Sequence, residues 1–127
     1  MLRLKLPTDP RWVNIAEKNI EEILIDHAFC EQKAASTAIS LIITYPELSD
    51  LVQKMSALAI EEMEHFEMVH RIILQRGLKL GRERKDEYVA RISGFFKKTS
   101  DREERLVHRL LTAALIEARS CERFKVL

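Results

Sequence analysis

Residues 61–70 read EEMEHFEMVH, that is Glu61, Glu62, Met63, Glu64, His65, Phe66, Glu67, Met68, Val69 and His70. Four carboxylates and two imidazoles fall within ten positions, and the helix phase decides what each of them does. Leu51, Met55, Leu58, Glu62, His65, Val69 and Ile72 recur at alternating steps of four and three. That spacing predicts an amphipathic helix from about Glu47 to Arg76, with Gly77 as its C-cap. Glu61, Glu64 and Glu67 fall off the stripe and read as solvated. Glu62 and His65 fall inside it, where the helix is driest. A lone carboxylate buried there costs several kcal/mol, roughly, so Glu62 requires a partner. The i, i+3 spacing sets Glu62 and His65 on one face, about 4.5 Å apart along the axis. A carboxylate oxygen and an imidazole nitrogen so placed can bind one metal ion.

Outward from this stretch the chain stays helical. Thr8-Asp9-Pro10 reads as a helix start, with a capping side chain and a proline tolerated in the first turn. The pattern then runs unbroken to Tyr45, with Ile20, Leu24, His27, Glu31, Ala34, Ala38 and Leu41 on one stripe. Tyr45-Pro46 ends it, because the residue before proline is pushed out of helical geometry. After Gly77 and Gly81 comes a basic connector, then a short helix expected over Asp86 to Lys98. Ser100-Asp101 followed by Glu103-Glu104 resembles a capping box. It opens a last helix carrying Val107, Leu111, Leu115, Ala118 and Glu122 on one face. Only three glycines and three prolines occur, and no strand-period segment stands out. The reading is all-α, with three long helices and a short connecting one.

Glu31 and Glu122 repeat the anomaly of Glu62, each a carboxylate set in an apolar stripe. They also sit in related surroundings. Residues 24–31 read LIDHAFCE and residues 115–122 read LIEARSCE, sharing Leu-Ile, an acid and Cys-Glu at a constant offset. A bundle built from duplicated helix pairs shows such an echo. It makes Glu31 and Glu122 counterparts, matches Glu117 to Asp26, and selects Glu122 over Glu117 as a ligand. Glu-x-x-His is itself a half-site of di-metal carboxylate bundles, in which two helices each give a Glu and two others each give Glu-x-x-His. Oxygen-rich ligation with few imidazoles suits iron or manganese. His108 lies fourteen residues before Glu122, roughly 21 Å along a continuous helix, too far to share its site. His70 points away from His65. His27, one turn before Glu31, is open to three readings: a partner behind the ligand, an alternative ligand, or a core histidine. Cys30 and Cys121 read as small buried thiols beside the ligands.

The chain has 127 residues and a net charge of +1, enough for one domain over 1–127 with a real core. The charge is unevenly spread. Residues 1–75 hold seven Lys/Arg against twelve Asp/Glu, a net of −5, and residues 76–109 hold eleven against six, a net of +5. A basic segment beside an acidic core suits a polyanion such as nucleic acid, and equally suits a solvated surface. Two separated cysteines without a CxxC imply reduced thiols. With no apolar run near 18 residues and no signal-peptide pattern, the expected location is the cytoplasm, away from membranes.

Three segments together carry a family likeness: Ile25-Asp26-His27-Ala28-Phe29-Cys30-Glu31-Gln32-Lys33-Ala34-Ala35, Glu61-Glu62-Met63-Glu64-His65-Phe66, and Ile116-Glu117-Ala118-Arg119-Ser120-Cys121-Glu122-Arg123-Phe124. With the helices around them the chain resembles the bacterial tRNA isopentenyl-adenosine hydroxylases, ferritin-like enzymes acting on 2-methylthio-isopentenyl-adenosine. The resemblance implies a ferritin-like four-helix bundle and a centre of two non-haem iron ions. It implies O2-dependent hydroxylation of the prenyl side chain next to the tRNA anticodon, with an electron-donor protein as a further partner. It assigns Glu31, Glu62, His65 and Glu122 as metal ligands, with no catalytic residue beyond them. His27, Asp26, Glu117 and Arg119 become candidates for supporting those ligands. Lys79, Arg82, Arg84, Lys85, Lys97 and Lys98 become candidates for contacting the anticodon stem-loop. The family pattern has a fourth helix with a second Glu and His. This sequence stops before it, so four of six ligands are expected and the chain reads as truncated. Two other classes fit the residues: a ferritin- or rubrerythrin-like protein that stores iron or scavenges peroxide, and a metal-free helical interaction protein. The oligomeric state is not legible.

Overall fold

The computed structural model describes residues 7–81, 87–95 and 98–125, with side chains at 87–89, 93 and 121–125 excepted. Five helices are found there: α1 (Arg11–Lys18), α2 (Ile20–Thr44), α3 (Ser49–Gln75), α4 (Glu87–Gly94) and α5 (Arg102–Lys125). No strand occurs among the described residues, so the all-α expectation holds. The three long helices are α2, α3 and α5.

Residues 19–84 form one compact unit, dominated by α2 packed against α3. The turn between them is short. Tyr45 closes α2 by donating its N–H to the Leu41 carbonyl (3.0 Å), and Leu48 N–H reaches back to the Tyr45 carbonyl (3.1 Å). Tyr45 is almost fully buried at 3% exposure and pins this corner. At the far end, Gly77 takes φ +73°. Its N–H bonds the Leu74 carbonyl (3.0 Å), and Leu78 N–H bonds the Ile73 carbonyl (3.1 Å). These two bonds make a Schellman cap that satisfies the last carbonyls of α3.

The buried side chains of α2 are Ala28, Phe29, Ala35, Ala38 and Leu41. Three alanines on one face let a second helix approach closely. On α3 only Glu62 and Ile73 are buried. The stripe drawn from the sequence is therefore partly displaced. Ile20, Leu58 and Ile72 are exposed, while Ile73 is sealed. Each burying surface is one helix facing one partner, so it is narrower than the apolar stripe.

The second unit comprises 1–18 and 85–127. The expected single helix from Thr8 to Tyr45 is interrupted at Asn19 (φ −129°, ψ 33°), which ends α1 and precedes α2. Asparagine disfavours the helix interior because its short amide competes for backbone groups. The start of α1 is as expected. Asp9 accepts a hydrogen bond from Arg11 N–H (2.9 Å) and a forked pair from the Arg11 guanidinium. Those bonds hold Asp9 down to about 2, led by the side-chain bond to Arg11.

α5 opens as the capping pattern implied: Glu104 N–H donates to Asp101 Oδ1 (3.0 Å), and the Thr99 hydroxyl donates to Glu104 Oε2 (2.9 Å). α4 packs on α5 but ends at Gly94, short of the expected Lys98. The α5 stripe departs from expectation, since Val107, Leu111 and Leu115 are exposed. The half-buried apolar residues are Leu106, Leu110, Ile116 and Ala118, of which only Ala118 belongs to that stripe. An eight-residue helix can cover only a fraction of a 24-residue one.

Candidate metal centre

The hairpin turn sets the register of α2 on α3. Glu31 precedes Tyr45 by fourteen residues, and Glu62 follows Leu48 by fourteen. Both carboxylates therefore stand about 21 Å from the same turn, level with each other on antiparallel helices. His65, one turn beyond Glu62, lies on the same face. One donor atom each from Glu31, Glu62 and His65 falls within 4.8 Å of the others. His65 Nδ1 is 3.6 Å from Glu31 Oε2 and 3.8 Å from Glu62 Oε1. Glu62 is 6% exposed, the only buried charged residue among those described. The imidazole of His65 is 45% exposed, so the group is sealed on the carboxylate side and open beside His65.

Behind Glu31 stands His27. Its Nε2 is 2.7 Å from Glu31 Oε1, one helical turn away. His27 is not among the three residues whose donor atoms converge within 4.8 Å. Burial alone would push Glu31 up. Hydrogen bonds from His27 and from the Glu62 carboxyl, with the charges of His27 and His65, outweigh it and hold Glu31 at about 2. Glu31 is thus kept as an anion. Two carboxylates and an imidazole, one of them dry and all within one ion's reach, are a donor set that fits a hard or borderline cation.

The remaining sequence-derived candidates fall elsewhere. Glu61, Glu64 and Glu67 are exposed, as their phase required. The His70 ring stacks on Phe66 at 5.8 Å, away from the group. His108 sits 4.0 Å from Glu104. Asp26 is exposed, as its position five residues and about 140° from Glu31 dictates. Glu117 is exposed. Arg119 lines a cavity of about 410 Å³ with Pro7, Thr8, Asp9, Arg11, Trp12 and Ile15. Glu122 is helical on α5, but its side chain lies outside the described residues, as does that of Cys121. Cys30 is exposed, contrary to the buried thiol expected; it immediately precedes Glu31, about 100° off the inward face. Of the basic candidates, Lys79 and Lys98 are exposed, and Arg82, Arg84, Lys85 and Lys97 lie outside the described residues.

Two antiparallel helices joined through inward carboxylates and a Glu-x-x-His place this chain in the ferritin-like class of helical proteins. The comparisons with known proteins narrow that class. The chain belongs to the family described as tRNA-(MS[2]IO[6]A)-hydroxylase (MiaE), whose model matches residues 2–127. It is 42% identical over 124 residues to the tRNA 2-(methylsulfanyl)-N(6)-isopentenyladenosine(37) hydroxylase of Pseudomonas putida, covering 98% of this chain and 60% of that protein. It is 26% identical to the Salmonella typhimurium protein of the same name, covering 98% of this chain and 63% of the other. Among solved structures it is similar to a Synechococcus protein with aldehyde deformylating oxygenase activity. That match has a TM-score of 0.90 and 40% identity, over 98% of this chain and 61% of the other. The chain thus spans about three fifths of the length of these relatives.

Proposed function

We propose that this chain carries part of the metal centre of an O2-dependent hydroxylase acting on the isopentenyl side chain of 2-methylthio-isopentenyl-adenosine in tRNA, beside the anticodon. The observation that carries the reading is the convergence of Glu31, Glu62 and His65 within 4.8 Å, in a chain of this family. Glu31, Glu62 and His65 would hold iron, with Glu122 on α5 as the fourth ligand from this sequence. Iron bound there would supply the redox chemistry that lets O2 oxidise an allylic C–H bond of the isopentenyl side chain. The protein's own part is different. Glu62 stays dry against the hairpin and resists exchange with water. The oxygenase activity of the Synechococcus relative fits an O2-using centre on this fold.

A tRNA substrate must offer its modified base out of the anticodon stack. The basic residues between 76 and 109, Lys79 and Lys98 among them, suit its phosphates, and the electrons come from a separate donor protein. A cytoplasmic site follows from such a substrate. No described helix is long and apolar enough to cross a membrane.

The test is metal content after anaerobic ferrous loading of this chain and of its Glu62→Ala variant. Iron bound by the first and lost by the second supports the reading. A protein that takes up no iron, and whose melting temperature ignores it, would make the cluster a plain hydrogen-bonded group. Iron uptake into large spherical assemblies without tRNA binding would favour a storage protein instead.

A further inference from the structure

The two oxygens of Glu31 have different neighbours. Oε1 is 2.7 Å from His27 Nε2, while Oε2 faces His65 Nδ1 at 3.6 Å. Helix geometry makes the first contact natural. Side chains on a helix lean toward its N-terminus, so the Glu31 carboxylate is carried back over the turn that holds His27. His27 is half-buried, with its side chain 23% exposed, which limits competition from water for the bond. Its nitrogens do not join the donors of Glu31, Glu62 and His65 within 4.8 Å. His27 is therefore one step removed from the point where those donors converge.

We propose that His27 is a positioning residue that makes Glu31 a one-oxygen ligand: the His27 Nε2–H donates to Oε1 and leaves only Oε2 to face the metal. This inference rests on the metal-site reading above. A carboxylate with both oxygens free can chelate one ion, filling two coordination positions. With Oε1 held by His27, Glu31 would fill only one. Residues that orient a ligand in this way are commonly worth about 10- to 100-fold in metal affinity.

Cobalt(II) is the probe, because its visible absorption is strong at four or five coordination and weak at six. The protein, His27→Leu, His27→Gln and Glu62→Ala are each titrated with cobalt(II). Affinity and visible spectrum are recorded, and the melting temperature of the metal-free forms is measured separately. We expect His27→Leu to bind cobalt about 10- to 100-fold more weakly and with a fainter spectrum, as Glu31 turns to chelation. Glutamine can donate an amide N–H from the same turn, so His27→Gln should restore the spectrum and most of the affinity. If His27 were itself a ligand, glutamine would fail as badly as leucine, which overturns the proposal. It is equally overturned if His27→Leu lowers only the melting temperature of the metal-free protein. Absence of cobalt binding by the unaltered protein defeats the metal-site reading and this inference together. Binding that is lost in Glu62→Ala but unchanged in both His27 variants defeats this inference alone.

Discussion

Glu62 is held at 6% exposure, with His65 Nδ1 3.8 Å from its Oε1. Its burial serves stability poorly. Replacing a buried polar group by a well-packed apolar one is often neutral or stabilising. Glu62→Leu should therefore leave the metal-free protein as stable as before or more so, while abolishing metal uptake. Thermal melts with and without iron would read this, and a large loss of metal-free stability would show that the carboxyl is structural. Asp9 makes a simpler case at the helix start. Hydrogen bonds from Arg11 lower its carboxyl from 3.8 to about 2. A lowered carboxyl stabilises the fold above its ordinary value and loses that contribution as pH falls through the folded one. The start of α1 should thus loosen between about pH 4 and pH 2. Carboxyl NMR should place the Asp9 midpoint near 2, and high salt should raise it, because the pair is fully exposed.

At the scale of the element, α2 and α3 owe their partnership to small residues and to the ends of the hairpin. Ala35 is 2% and Ala38 is 1% exposed. A leucine at Ala38 has no space to enter without parting the helices, so Ala38→Leu should cost about 1–3 kcal/mol. Chemical denaturation would measure it, and the same variant should weaken metal binding, because Glu31 and Glu62 are held level by this contact. Gly77 tests the cap. A Cβ there would meet nothing within 4 Å, yet φ is +73°. The cost of Gly77→Ala is then purely conformational, about 1 kcal/mol, and asparagine should recover part of it. The Gly77 cap and the Asp101 start were both legible in local sequence, since caps depend on residues within one turn. The break at Asn19 was not, because an asparagine inside a periodic run has no obligatory effect and the surroundings decide.

Across the molecule, charge is divided along the chain, acidic through residue 75 and basic from 76 to 109. If the basic part meets tRNA, binding should weaken steeply with salt, because cations on phosphates release counterions. Lys79→Ala and Lys98→Ala should each flatten the slope of log affinity against log salt by about one, with little effect on iron content. Filter binding to an anticodon stem-loop at several salt concentrations would show it. A salt-independent affinity would remove these lysines from the tRNA surface.

The sequence by itself determined the helical class, the hairpin corner at Tyr45-Pro46, and the pairing of Glu62 with His65. Each is set by periodicity or by contacts within a turn. The register that sets Glu31 level with Glu62 came with the observed turn between α2 and α3. Only the tertiary structure decided which oxygen of Glu31 faces His65, how dry Glu62 is, and that His27 Nε2 meets Glu31 Oε1 at 2.7 Å. It likewise turned Cys30 outward and left Val107, Leu111 and Leu115 exposed. Those outcomes depend on the rotation of one helix against another and on how much partner surface each face meets. A pattern read along one chain carries the period of a helix, and packing sets which part of that period is covered.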